Sequence, residues 1–192
     1  MQGAPKSPHG AGSPNERTAT QSLTDTFLLA TPMHGPSDLF AEAVVYVMKH
    51  DAGGAVGMVV NKPIAPRVAD IIDVTGSQPL PRALAEAELL RGGTAYQTLL
   101  WALYPSSGGS GNAFANDTYA MAVDSEELAR LAQGTLVADA VGVGLLTWQA
   151  GALDRELQRE AWLLVPAGRH LFQVPARGRC ALARSSIWPK DC

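Results

Sequence analysis

The run from His50 to Pro63, H-D-A-G-G-A-V-G-M-V-V-N-K-P, constrains the fold of this chain more than any other segment. Ala43 to Met48 is a β-branched and aromatic run, Asp51 to Gly54 supplies turn chemistry, and Ala55 to Val60 is a second apolar run. Two strand-like runs joined by a glycine-bearing turn predict a β-hairpin. Asn61-Lys62-Pro63 is expected to end the second strand abruptly. Proline has no N–H for a sheet ladder and restricts the residue before it.

Around this hairpin, strand and helix signals interleave. Asp38 to Glu42 suggests a helical turn feeding the first strand. Val68 to Val74 has apolar residues at helical spacing, after Pro66 in a suitable N-terminal position. Tyr96 to Tyr104 and Thr118 to Val123 read as strands. The link Pro105 to Asp117, rich in glycine, serine and asparagine, reads as a mobile surface loop. Asp124 followed by Glu127 is a capping-box pattern for a short helix that Gly134 would end. Ala138 to Trp148 reads as a strand, the residues around Leu153 and Leu157 as a helix, and Trp162 to Val165 as a strand again. This order is neither strict βαβ alternation nor an all-strand series, so the expected class is α+β with a mixed sheet.

Three zones follow. Residues 1–22 form a polar tail with too few apolar residues to offset the entropy of ordering it. Residues 23–175 form the folded body. Residues 176–192 form a basic segment carrying Arg177, Arg179, Arg184 and Lys190 against Asp191. Within it, Cys180 to Ile187 has the pattern of a short helix packing through Leu182 and Ile187. The 192 residues, 46% of them hydrophobic, suffice for one core. A net charge of -3 offers no overall basic field to attract nucleic acid. Only Cys180 and Cys192 are present, so no disulfide framework is expected. No segment approaches the ~20 apolar residues of a membrane helix, and the N-terminus lacks a signal-type apolar stretch. The expected setting is the cytoplasm, with no membrane contact.

Signatures of catalysis are weak. Gly53, Gly54 and Gly57 resemble a phosphate loop, but a β-branched run follows where a helix would have to start, so tight-turn geometry is the better reading. His34, His50 and His170 show no metal-ligand spacing, and neither a metal nor a cofactor is expected. His50 beside Asp51 has the makings of an acid–base pair; capping the hairpin turn is the simpler role. Asp154, Glu156 and Glu160 alternate with Arg155 and Arg159 as a solvated helix face would. The remaining candidate is a ligand-binding surface at strand ends and turns, built from Met33, His34, Asn61, Lys62, Pro63, Arg91, Gly92, Gly93 and Trp148, with His50 nearby. Arg91 would offer a guanidinium to a carboxylate or phosphate, Asn61 and Lys62 a polar pair, and Trp148 a flat wall with an N–H donor. The alternative is internal: Asn61 holds a turn, Arg91 pairs within the chain, and Trp148 belongs to the core.

Further motifs stand in a fixed order. T-F-L-L-A-T-P-M spans Thr26 to Met33, and L-L-R-G-G-T spans Leu89 to Thr94. V-G-V-G-L-L-T-W-Q-A-G-A-L-D-R-E-L spans Val141 to Leu157, and A-W-L-L-V spans Ala161 to Val165. With the hairpin string, these resemble the YqgE/AlgH family of bacterial proteins over roughly Asp25 to Pro175. The resemblance implies a bifurcated sheet curled into a pseudo-barrel with short flanking helices, and a label of transcriptional regulator. The chain departs from the family pattern at polar positions. Met33-His34-Gly35-Pro36 lacks the usual acidic residue, His50-Asp51 replaces His-Asn, and Gly92-Gly93-Thr94-Ala95 replaces G-G-P-V. Leu103-Tyr104 replaces Leu-His, and Gly151-Ala152-Leu153-Asp154 replaces G-Q-L-E. Glycines and apolar positions persist, as expected where the fold is kept and a shared ligand site is altered.

Three functions are compatible with this. The first is a non-catalytic regulatory or interaction module with a protein partner. The second is a small-molecule binder or enzyme, taking an anion or peptide at Asn61, Arg91 and Trp148. The third is weak, salt-sensitive DNA binding through the basic C-terminal segment.

Overall fold

The computed structural model describes residues 22–35, 39–72, 79–106, 114–166 and 168–187. Among the described residues, nine strands form one mixed sheet: β1 (Thr26–Ala30), β2 (Val44–Asp51), β3 (Gly54–Val59), β4 (Pro63–Arg67), β5 (Glu88–Arg91), β6 (Ala95–Pro105), β7 (Tyr119–Ala122), β8 (Ala140–Gln149) and β9 (Trp162–Val165). Short helices flank it: α1 (Val68–Ile71), α2 (Arg82–Ala85), α3 (Ser125–Ala132), α4 (Ala152–Gln158) and α5 (Arg179–Ile187). The class is α+β, as expected from the sequence.

The hairpin is β2 and β3, with Tyr46 opposite Met58 and Asp51 opposite Gly54. Its first strand reads as a continuous apolar run because both its faces are buried. Val44, Tyr46 and Met48 face one core with Phe27, Leu29 and Met58, while Val45 and Val47 face another with Leu28, Val59 and Trp162. A third core lies around Leu84, Leu89, Leu131 and Val141.

The sheet forks at β8. Residues 146–149 of β8 pair with β3, which continues through β2 and β1 to β9. Residues 140–145 pair with β6, and residues 141–143 also pair, in parallel, with β5. Because Val141 has both Ala102 and Leu89 as partners, β5 and β6 lie on opposite edges of β8. The three-residue link 92–94 must therefore cross that strand. The crossing is made of glycines: a Cβ on Gly93 would stand 2.0 Å from the Leu145 carbonyl oxygen, and one on Gly92 2.3 Å from that of Gly144. Gly144 itself has φ 76°, and its carbonyl accepts the Trp101 indole N–H at 2.7 Å. The glycines of L-L-R-G-G-T and V-G-V-G are thus explained by close backbone approach. The sheet remains open, with β4 and β9 at its ends, and does not close into a barrel.

Two local expectations are revised, and two others fall partly outside the described residues. Pro63 does not merely end a strand; it opens β4, opposite Leu90 of β5. Proline is tolerated there because it is the first residue of an edge strand. The helix expected from Val68 to Val74 occupies Val68–Ile71, residues 73–78 lying outside the described ones. Residues 39–42 form a turn rather than a helical turn, with Glu42 at φ 57°, and Asp38 lies outside the described residues. The loop expected from Pro105 to Asp117 also falls largely outside them, at residues 107–113, as do residues 1–21 and 188–192.

Candidate functional site

The residues singled out from sequence sort into three neighbourhoods. In the first, Asn61 is buried where β3 passes to β4. Its Oδ1 accepts the Val44 N–H at 2.8 Å, and its Nδ2 donates to the Glu42 carbonyl at 2.8 Å. The Lys62 ammonium donates to the Ala41 carbonyl, and the Lys62 carbonyl accepts the Arg91 N–H at 2.8 Å. Asn61 and Lys62 thus tie the turn before β2 to the β3–β4 link. The Arg91 side chain is exposed, beside the glycine crossing.

In the second neighbourhood, Thr31 caps a one-turn helix at Pro32–His34. His34 stacks on Phe40 with ring centroids 5.2 Å apart and lies 4.2 Å from Trp162. Its Nε2 is buried and has no hydrogen-bond partner among the described residues. Burial holds the imidazole below its ordinary range, and the nearby Glu156 carboxylate partly offsets this. Trp148 joins the same cluster: Glu156 Oε2 accepts the indole N–H groups of Trp162 at 2.7 Å and Trp148 at 3.0 Å. Glu156 is therefore an internal acceptor, not part of a solvated face. Its place on α4 was legible as a helix position, but its direction was not. Met33 stands 68% exposed at the edge of this cluster.

The third neighbourhood holds His50. Its Nδ1 accepts the Leu23 N–H at 3.1 Å, and its Nε2 lies 3.4 Å from Asp154 Oδ2. The carboxylate beside it is thus Asp154 of α4, not Asp51. Asp51 pairs with Lys49 at 2.9 Å and accepts the Gly53 N–H at 2.8 Å; these two hold its carboxyl below the usual carboxylate range. The Gly53–Gly54 turn lies against β8, where a Cβ on Gly54 would meet the Trp148 carbonyl oxygen at 2.1 Å.

A further concave feature lies elsewhere. A cavity of about 510 Å³ opens between the α2–α3 side of the sheet and the segment leading into α5. Leu84, Leu90, Leu131, Leu136, Val141 and Phe172 supply apolar walls, and Arg179 lies at its α5 end. This arginine is only 6% exposed. Its Nη1 donates to the Val60 carbonyl, its Nε donates to the Val174 carbonyl at 3.4 Å, and its guanidinium carbon sits 4.8 Å above the Phe172 ring. No carboxylate forms an ion pair with it among the described residues. Nη2 makes no hydrogen bond among them either. Burial pushes its pKa down to about 10, with the negative charge of Glu88 the main opposing influence. At neutral pH it remains a cation.

A second charged group borders the cavity. Asp139 accepts the Tyr119 hydroxyl at 2.8 Å and pairs with Arg169 at 2.9 Å, so its charge is already matched. The sequence groups Arg179 with the other arginines of a basic C-terminal segment. The signal that would have found it is spacing: Ala176, Arg179 and Ala183 recur at helical intervals, and all three are buried.

Comparison with known proteins decides the relationship. The AlgH-like family profile (DUF179) matches residues 27–183. The chain belongs to the AlgH-like family. A UPF0301 protein of Neisseria meningitidis serogroup B is 29% identical over 169 residues, covering 86% of this chain and 92% of its own. One from Pseudomonas paraeruginosa is 30% identical over 168 residues, covering 86% and 88%. The solution structure of the AlgH protein from Pseudomonas aeruginosa superposes with a TM-score of 0.72 at 24% identity, covering 92% of this chain and 94% of that one. A crystal structure of a Corynebacterium diphtheriae protein gives 0.61 at 18% identity, covering 86% and 88%. At these identities the two structures speak for the fold alone.

Proposed function

We propose that this AlgH-like protein is a non-catalytic regulatory or interaction module whose state is set by a small organic ligand in the 510 Å³ cavity. One observation carries the reading: a buried guanidinium that no carboxylate among the described residues pairs with borders the cavity. Mostly apolar walls with a few placed polar groups are the usual make-up of a small-molecule site, and this volume lies within the usual range. A buried cation held by carbonyls and a ring but by no carboxylate in contact gains stability when a ligand supplies counter-charge. A permanently charged arginine holds a ligand; it does not shuttle protons.

This reading moves the ligand from the strand ends to the cavity. The Asn61 amide and the Lys62 ammonium already serve backbone groups, which leaves Arg91, among the described residues, as the cation that this surface offers. It also disfavours the basic segment as a DNA contact. Arg179 points inward, and Arg184 pairs with Glu42 at 2.9 Å. A cytoplasmic setting accords with it. Among the described residues no helix is long and apolar enough to cross a membrane.

The test is the thermal unfolding midpoint against nucleotides, sugar phosphates, carboxylates, divalent metals and duplex DNA. A true ligand at about 100 times its dissociation constant stabilises the native state by about 2.7 kcal/mol. Stabilisation by a small-molecule class, absent in Arg179→Met, supports the reading. Stabilisation by DNA alone, fading with salt, would overturn it.

A further inference from the structure

We infer that the cavity is shaped for a monocarboxylate with an apolar body, a refinement that rests on the ligand-binding reading above. The charges around the cavity decide the head group. Arg179 contributes one positive charge, and its Nη2 is the guanidinium corner left without a hydrogen bond among the described residues. Glu88 contributes a negative charge from the lining, while Asp139 and Arg169 cancel one another. Arg179 and Glu88 offset one another, so the lining is close to neutral overall and a ligand's negative charge is held by the one cation it touches. A dianionic phosphate brings a second negative charge with no further cation among the lining residues, and a monoanion does not. A carboxylate oxygen also accepts a short, charge-assisted hydrogen bond from a guanidinium N–H.

The walls decide the body. Beside Arg179, the lining is apolar at Phe172, Leu90, Leu131, Leu84 and Leu136. At the rim, Val137 also lines the cavity, yet it is 72% exposed. An apolar side chain left that open is covered when an aliphatic or aromatic ligand body extends toward the rim. A cation, aliphatic walls and an exposed apolar residue line the same cavity, the chemistry that a carboxylate on a hydrocarbon stem calls for.

The experiment compares octanoate with octanamide, octylammonium and inorganic phosphate, on the full chain. It reads the unfolding midpoint and the Arg179 Nε–H NMR resonance. Octanoate is expected to raise the midpoint and shift that resonance, and the other three are expected to do neither. Arg179→Met is expected to weaken octanoate binding by about thirtyfold or more, since it removes the charge partner in a desolvated setting. Val137→Glu, at an exposed position that leaves the core intact, is expected to weaken it by about two- to fivefold through charge repulsion. This second variant keeps the test decisive if Arg179→Met fails to fold.

Equal effects of octanoate and octanamide would overturn the carboxylate assignment. Equal effects of phosphate and octanoate would overturn the apolar body. Silence from all four, alongside a cavity-dependent response to another compound class, would overturn this inference and leave the ligand-binding reading standing. Silence from every small molecule tried would remove both.

Discussion

At the scale of single residues, this protein is organised by a few polar groups held inside apolar surroundings. Glu156 gathers the indole N–H groups of Trp148 and Trp162 on one oxygen, which fixes α4 against β8 and β9. Glu156→Ala leaves buried donors without that acceptor and is expected to destabilise by about 1–3 kcal/mol. A denaturant midpoint read with an unchanged slope checks it. His34 makes stability depend on pH. Its folded pKa lies below 6.5, chiefly because of burial, so on acidification the unfolded chain takes up a proton before the native one does. That contribution is present above 6.5 and is lost as pH falls below it. His34→Phe is expected to flatten this part of the stability–pH curve, and an unaltered slope would count against the buried imidazole as its source. Neither role was legible in advance. Sequence places Glu156 and His34 on a helix and a turn, but which way each side chain points is settled by contacts with β9, more remote in the fold.

At the scale of elements, the fork at β8 is the device that makes the fold. A chain that passes from one edge of a strand to the other in three residues needs a crossing with no side chains in it, and Gly92, Gly93 and Gly144 provide one. Gly93→Ala would place its Cβ on the Leu145 carbonyl, a backbone atom with little freedom to yield. The expected loss is at least about 3 kcal/mol, the upper end for overpacking, seen as a large drop in midpoint or failure to express as folded protein. Much of the element pattern could be read from sequence. The hairpin, the α3 cap where Asp124 accepts the Glu127 N–H at 2.8 Å, and the stop at Gly134 with φ 75° all follow from local chemistry. The start of β4 at Pro63 did not, because edge pairing with Leu90 is a non-local event that a proline-marked strand end conceals. The crossing at Gly92 and Gly93 was not legible, because the strand it passes is fixed by non-local pairing.

At the scale of the whole molecule, the account rests on one buried charge and the space beside it. The motifs that identify the family lie mostly on the β1–β3 and β8–β9 half of the sheet, where Asn61 and Trp148 serve internal bonds. The cavity lies on the other side, bordered by α2, α3 and the segment entering α5. Its lining comes from residues as far apart in sequence as Pro81 and Arg179, and no local pattern assembles those. This separation explains why motif reading pointed to the strand ends and why a basic tail hid a core arginine. The most direct measurement is an amide and methyl chemical-shift map of the full chain titrated with whichever compound raises the unfolding midpoint. The account expects the perturbed resonances to cluster at Leu84, Leu131, Val141 and Arg179, with Trp148 and Asn61 unmoved. Perturbations centred on Asn61, Arg91 and Trp148, with the cavity silent, would contradict it.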